Sequence, residues 1–304
     1  MRPNTQSLHI LDQFQLESAL SEVQVVALTA EHETEVIEFL SQRPIHTVSM
    51  MSLIHDNGLV SFLNRGTFFA CRDLQGQLEG VALIGHATLF ETVSDRALLA
   101  LARTARECSY THVVLGEQER MSELWDVYQA SGHELRLACR EFLYELKCPF
   151  QIQEPLPGLR LATVNELDQV MPIQAELAFE ESGINPMDSD PEGFRRRCLR
   201  RIQQGRTWIM TEGGLVIFKA DVVSRTNDVV YLEGIWVRED HRKSRMGLRC
   251  MSELSKKLLQ EVKSICLLVN ENNNYAQNFY RKCGFMFRAT YETIFLPKKE
   301  QFPI

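Results

Sequence analysis

A chain of 304 residues, 44% hydrophobic and 24% charged, can bury one large core, but two domains of ordinary size are the expected arrangement. Its 33 basic and 40 acidic side chains leave a net charge of −7, which argues against a protein that coats nucleic acid or an anionic membrane through overall charge. No run approaches the ~20 apolar residues of a membrane span, and residues 1–20 lack the apolar stretch of a signal peptide, so the protein is expected to stay in the cytoplasm. The 8 cysteines are scattered with no C-x-x-C pair, which fits free thiols in a reducing compartment and no metal site.

In chain order, the first half reads as strand EVQVVAL, a helix over Glu31–Ser41, a second helical stretch near Val48–His55, then strands TFFACRD, LEGVALIG and HATLFET. Helix DRALLALARTAREC, strand THVVLGE, helix MSELWDVYQASG and strands in LRLACREFLYEL follow. The second half repeats the order: strand GLRLATV, helices NELDQVMPIQAELAF and DPEGFRRRCLRRIQQ, strands TWIMTE, GLVIFKADVVS and VVYLEGIWV. Helix LRCMSELSKKLLQEV, strand SICLLVN, helix NNYAQNFYRKCG and strands in FMFRATYETIFL close it. Alternating periodicities of this kind imply an α/β fold with two tandem mixed-sheet domains, each flanked by helices. The copies align best near their ends, where VYQASGH matches FYRKCGF and places Tyr128 opposite Tyr280. The proline-rich stretch CPFQIQEPLPG (148–158) marks the expected boundary, giving domains 1–150 and 151–304. The shared LEG at 78–80 and 232–234 falls one strand earlier in the first copy.

The turn HRKSRMGL (241–248) joins an apolar strand to an amphipathic helix. A helix start leaves its first N–H groups unpaired and pointing one way, which suits a pyrophosphate. Gly247 lets the backbone approach closely, while Arg242, Lys243 and Arg245 add positive charge. A solvated basic helix cap has the same local appearance.

Two motifs around this turn resemble the GNAT superfamily of acetyl-CoA-dependent N-acetyltransferases. Arg242 and Gly247 match the ends of its Arg/Gln-x-x-Gly-x-Gly/Ala turn, and Asn273, Ala276 and Tyr280 match Asn-x-x-Ala-x-x-x-Tyr, closed by Gly284-Phe285. The resemblance covers roughly residues 159–297. It departs at Arg245, which stands where the family has its first glycine and is accommodated if φ stays negative.

The resemblance implies that acetyl-CoA lies along Ile235, Trp236 and Val237 and in the turn Arg242, Lys243, Ser244, Arg245, Met246, Gly247 and Leu248, with Asn273 nearby. Acyl transfer to an amine needs a neutral amine, a polarised carbonyl and a proton for the leaving thiolate. Glu233 is placed to take the amine's proton, and Tyr280, with an ordinary pKa of about 10, to protonate the thiolate. The helices after the first strand of the second half flank the acceptor cleft in this family. Glu180 and Glu181 are therefore candidates for a positive acceptor, and Arg195 for a carboxylate. Helical periodicity sets Phe194, Cys198, Leu199 and Ile202 on an apolar face, and Arg196, Arg197, Arg200 and Arg201 on a basic, solvated one.

The first half has no such turn; its connection is ETVSD, whose Glu91 and Asp95 would repel a pyrophosphate. It reads as a degenerate GNAT-like copy acting as a scaffold. The expected acceptor is a small-molecule or peptide amine, with no nucleic acid or membrane partner, and the protein a monomer or homodimer. A CoA or acyl-CoA sensor without turnover would use the same cradle.

Overall fold

A computed structural model describes residues 22–150 and 156–297. The opening segment 1–20 and the centre of the proline-rich stretch lie outside the described residues. In chain order the elements are β1 (Val23–Ala27), α1 (Glu33–Ser41), α2 (Pro44–Asn57), β2 (Gly66–Asp73), β3 (Leu78–Gly85), β4 (Ala87–Thr92), α3 (Asp95–Arg106), β5 (Val113–Glu117), α4 (Gln118–Gln129) and β6 (Leu137–Leu146). Then come β7 (Arg160–Leu161), α5 (Leu167–Ser182), α6 (Pro186–Ser189), α7 (Pro191–Gln203), β8 (Thr207–Glu212), β9 (Leu215–Arg225), β10 (Val229–Val237), α8 (Met246–Leu258), β11 (Ser264–Asn270), α9 (Asn274–Lys282) and β12 (Met286–Phe295). The order is the alternating one expected from periodicity. α2 begins earlier than expected because Pro44, with its preset φ and no N–H to leave unpaired, starts it. β7 is shorter than the apolar run GLRLATV, and β6 and β12 are each one long strand.

Contacts divide the chain into two units, and the division falls inside β6 and β12, not in the stretch 148–158. The first unit runs to Arg140 and resumes at Thr290; the second is Glu141–Ala289. In the first, β1, β2, β3 and β4 pair antiparallel in sequence, β5 lies parallel to β4, and Tyr291–Phe295 of β12 pair antiparallel with β5. In the second, β7, β8, β9 and β10 pair antiparallel, β11 lies parallel to β10, and Glu141–Leu146 of β6 pair antiparallel with β11. Each sheet thus has the same plan, and each receives its last strand from the other half of the sequence. A local periodicity cannot report this, because a strand's partner is chosen by long-range pairing.

Period-2 alternation sends successive residues to opposite layers. In the first unit, Val81 and Leu83 of β3 join Val36, Leu40 and Ile54 of α1 and α2, while Ala82 and Ile84 join Leu98 and Leu101 of α3. In the second, Phe218, Ala220 and Val222 of β9 pack with Cys250, Met251 and Leu254 of α8. Beyond an irregularity in the β8–β9 ladder between Phe218 and Val216, the alternation is reset and Val216 lies on the other face, with Ile173 of α5 and Phe194, Cys198 and Ile202 of α7. The first LEG opens β3 and the second lies in β10, the counterpart of β4, so the offset read from strand counting holds.

Candidate active site

The site begins with a break in β10. Its ladder with β9 shifts register between Glu233 and Trp236, where Gly234 takes a φ of 60°. A Cβ at Gly234 would sit 2.9 Å from Lys219 Nζ and 3.1 Å from Gln174 Oε1, so any other residue would be strained in conformation and would push these buried groups aside. On the other side, β10 and β11 pair only over Val229–Tyr231 and Ser264–Cys266. Beyond these residues the two parallel strands have no paired positions among the described residues. The amide of Arg238 donates to Ile217 of β9, so by alternation those of Ile235 and Val237 point away from β9, to the side where the β11 ladder has ended. Trp236 turns its side chain to the α5 and α7 layer, and its indole N–H is buried without an acceptor.

The chain then crosses a 3₁₀ turn, Glu239–His241, and enters α8 through Arg242–Arg245. Lys243 and Arg245 have φ of 63° and 65°, so the negative φ that would accommodate an arginine easily at 245 is not the one it takes. The loop keeps a left-handed shape without the glycine that adopts it freely, a cost of about 1–2 kcal/mol per residue. Ser244 holds the turn by donating from Oγ to His241 O at 2.6 Å, and Arg242 Nε donates to Val237 O at 3.0 Å. Arg245 as N-cap makes no side-chain cap; Ser244 Oγ accepts from Met246 N at 3.4 Å, and the amides of Gly247 and Leu248 have no acceptor among the described residues. Gly247 serves packing: a Cβ there would lie 3.2 Å from both Phe279 and Val237. Met246 and Leu248 pack partly on the core beneath. Unpaired amides, a positive helix start and a basic rim suit a pyrophosphate, so these residues would hold the CoA end of a thioester.

Glu233 projects from the face of β10 opposite Val230 and Leu232, toward α5 and α7. Burial raises its pKa, with Arg201 and Lys219 acting against and Asp221 with that rise. Glu181, at the end of α5, has an exposed side chain but a crowded carboxyl. Burial of that group, then the charges of Glu233 and Glu141, push it up to about 8. Glu180 and Glu181 are both exposed, and only the carboxyl of Glu181 feels the charge of Glu233. Arg195 is exposed and pairs with Asp168 at 3.0 Å. The cations that act on Glu233 are Arg201 and Lys219; Arg201 leaves the expected solvated face and donates to Asp221 Oδ2 at 2.9 Å. Asp221 and Lys219 were not singled out from the sequence, although two charged residues at i and i+2 in the apolar strand LVIFKADVVSR were a signal for a buried polar pair.

Tyr280, on α9, packs on the opposite, α8 face of the sheet, with its ring edge-on to Phe279 and Phe285. Burial, then Cys283, hold its hydroxyl well above the usual tyrosine range, so it is protonated at neutral pH. Asn273 caps α9, accepting from Ala276 N at 2.9 Å, which leaves its amide N–H₂ for other partners.

Comparison with protein families finds that residues 173–285 match the Acetyltransferase (GNAT) family. Over this stretch the second half is therefore similar to GNAT acetyltransferases. Solved structures agree in fold over nearly the whole chain. A tandem GNAT protein from the clavulanic acid biosynthesis pathway superposes with a TM-score of 0.56 at 12% identity, covering 92% of this chain and 100% of its own. A GCN5-related N-acetyltransferase from Sphaerobacter thermophilus gives 0.56 at 11% identity, over 92% and 98%. A GNAT-family acetyltransferase from Colwellia psychrerythraea gives 0.53 at 11%, over 90% and 100%. No curated protein matches the chain. No helix among the described residues is long and apolar enough to cross a membrane.

Proposed function

We propose that the protein moves an acetyl group from acetyl-CoA to a primary amine of a small molecule or peptide, within the second unit. The observation that carries this reading is the bulge at Gly234, which sets Glu233 on one face of β10 just where the β11 ladder stops and the amides of Ile235 and Val237 come free. Acetyl-CoA supplies the activated acyl group. Glu233, directly or through water, takes a proton from the ammonium form of the acceptor. The freed amides are placed to hold the thioester carbonyl oxygen, and Tyr280 keeps a proton for the thiolate sulfur, whose conjugate acid has the lower pKa. Glu181, whose carboxyl feels the charge of Glu233, favours an acceptor that arrives with positive charge.

The first unit is read as a scaffold for the second. The test is release of free thiol from acetyl-CoA by the full chain across a panel of primary amines. Amine-dependent release is expected. Binding of acetyl-CoA with no release for any amine overturns the reading in favour of a sensor, and absence of binding removes both.

A further inference from the structure

Lys219 and Asp221 are buried to 0% and 1% exposure, an unusual position for charged groups. Both lie on the face of β9 that alternates away from Phe218, Ala220 and Val222, and so face α5 and α7. Three oxygens surround the Lys219 Nζ: it donates to Gln174 Oε1 at 2.6 Å, to Asp221 Oδ2 at 2.7 Å and to the carbonyl of Gly234 at 3.3 Å. A neutral amine has two N–H bonds and would turn its lone pair on one of these acceptors, so the contacts are those of an ammonium group. Burial lowers the pKa of Lys219, and the charge and hydrogen bond of Asp221 act against that fall. Asp221 has partners of its own, accepting from Arg201 at 2.9 Å and from the hydroxyl of Thr207 at 2.8 Å.

In a trans peptide the C=O of one residue and the N–H of the next are coplanar and point in opposite directions. The carbonyl of Gly234 and the amide of Ile235 are the two ends of one such unit. The carbonyl points to Lys219 on β9, so the amide points away from β9, to the side where the β11 ladder has ended. The strand alternation counted back from Arg238 gives the same direction independently. A bulge disrupts its ladder locally, and this ladder shifts register between Glu233 and Trp236. Lys219 thus supplies from a side chain the restraint that regular pairing would give the peptide. A cation bound at the carbonyl also polarises the unit and strengthens its N–H as a donor.

We propose that Lys219 is a positioning residue for acyl transfer: by holding the carbonyl of Gly234 it fixes the Gly234–Ile235 peptide plane and aims the Ile235 amide at the thioester carbonyl oxygen. Gln174 of α5 and Asp221 of β9 hold the ammonium group in place. The inference rests on the acetyl-transfer reading for the identity of that oxygen, while the clamp on the peptide stands or falls separately.

The experiment joins NMR to kinetics on the full chain. Carbon-13 in glycine carbonyls and nitrogen-15 in isoleucine amides link two peptides, Gly183–Ile184 and Gly234–Ile235, and Ile184→Val identifies the first by its loss. In the parent, the Gly234 carbonyl is expected at the shift of a hydrogen-bonded carbonyl; the shift of a free one overturns the proposal without any further variant. In Lys219→Met, where Asp221 still has Arg201 and Thr207, the Gly234–Ile235 signal should move in both dimensions and the Gly183–Ile184 signal stay. This variant should lose about tenfold in kcat, part of the roughly 10²–10³-fold cost of deleting an oxyanion donor outright, with Kd for acetyl-CoA within about twofold of the parent. A purely structural Lys219 predicts a lower Tm with kcat at saturation unchanged; that result overturns the proposal, as does an unmoved signal. Where Lys219→Met alone does not fold, Lys219→Met with Asp221→Asn removes the buried pair together and is read the same way. The acetyl-transfer reading fails by a different result, the absence of amine-dependent thiol release from the parent, which leaves the carbonyl shift and its dependence on Lys219 untouched.

Discussion

Between β4 and α3 the first unit uses Val93–Ser94, and at the equivalent place the second unit uses the longer turn Arg238–Arg245 between β10 and α8. At α3 the helix start is already answered. Ser94 Oγ accepts from Ala97 N at 3.2 Å and donates to Glu79 Oε2 at 2.7 Å, and Asp95 adds negative charge to the first turn. At α8 the N-cap is an arginine that makes no cap, Ser244 Oγ accepts only weakly from Met246 N at 3.4 Å, and two residues are held left-handed to bring the chain there. The same topology therefore has one helix dipole satisfied from within and one left open for an external anion. Glu91 does not repel an anion in the way expected from its position, since it is buried and paired with Arg43 at 3.1 Å; Asp95 and the cap close that turn.

The sharpest way to break this comparison is to fill the open turn. Gly247→Val should abolish the rise in Tm that saturating acetyl-CoA gives the full chain, about 2.7 kcal/mol at a hundredfold excess over Kd. Ser94→Ala, in the closed turn, should lower the baseline Tm by an amount worth about 1 kcal/mol and leave the ligand shift unchanged. If both variants respond to acetyl-CoA like the parent, the cradle has been misplaced.

A second contrast uses the aligned tyrosines. Tyr280→Phe should leave acetyl-CoA affinity within about twofold and lower kcat ~10²-fold, the scale of a lost general acid. Tyr128, fully buried with its hydroxyl beside Thr88, should tolerate phenylalanine with unchanged kcat and a change in stability within about 1 kcal/mol. A Tyr280→Phe enzyme that is merely less stable would remove this residue from the chemistry.

Smaller effects probe the strain and the charge. Arg245→Gly should raise the stability of the unliganded protein by about 1 kcal/mol, measured by denaturant unfolding, because glycine adopts a φ of 65° freely. No gain would mean that the arginine's contacts offset the strain. Glu181 has a folded pKa of about 8, above its ordinary value of 4.5, so its protonated form stabilises the fold at low pH and that contribution is lost as pH rises toward 8. Glu181→Gln should therefore match the parent near pH 5 and become the more stable protein by pH 9. A pH-independent difference in Tm would show that the carboxyl is not crowded as described.

Much of this site was legible because it is written locally. The turn after VVYLEGIWV, the cap Asn273 and the tyrosine seven residues beyond it are fixed by spacings within one strand, one turn and one helix. What escaped depends on neighbours distant in sequence. Arg201 is drawn inward by Asp221, which a helical wheel drawn for α7 alone cannot show. The left-handed Arg245 is imposed by the need to join β10 to α8 at their packed distance, against local preference.

The sheet pairings also set the order in which the two sheets can be completed during synthesis. The strand Tyr291–Phe295 that completes the first sheet beside β5 is among the last parts of the described chain to leave a ribosome, after the whole of Glu141–Ala289. Until then Val113–Glu117 offer an open hydrogen-bonding edge, the kind of edge that pairs with strangers. A nascent chain thus carries an unfinished first sheet for as long as Glu141–Ala289 is being made, and a chain cut before Tyr291 lacks that sheet's last strand while keeping the motifs of the second unit.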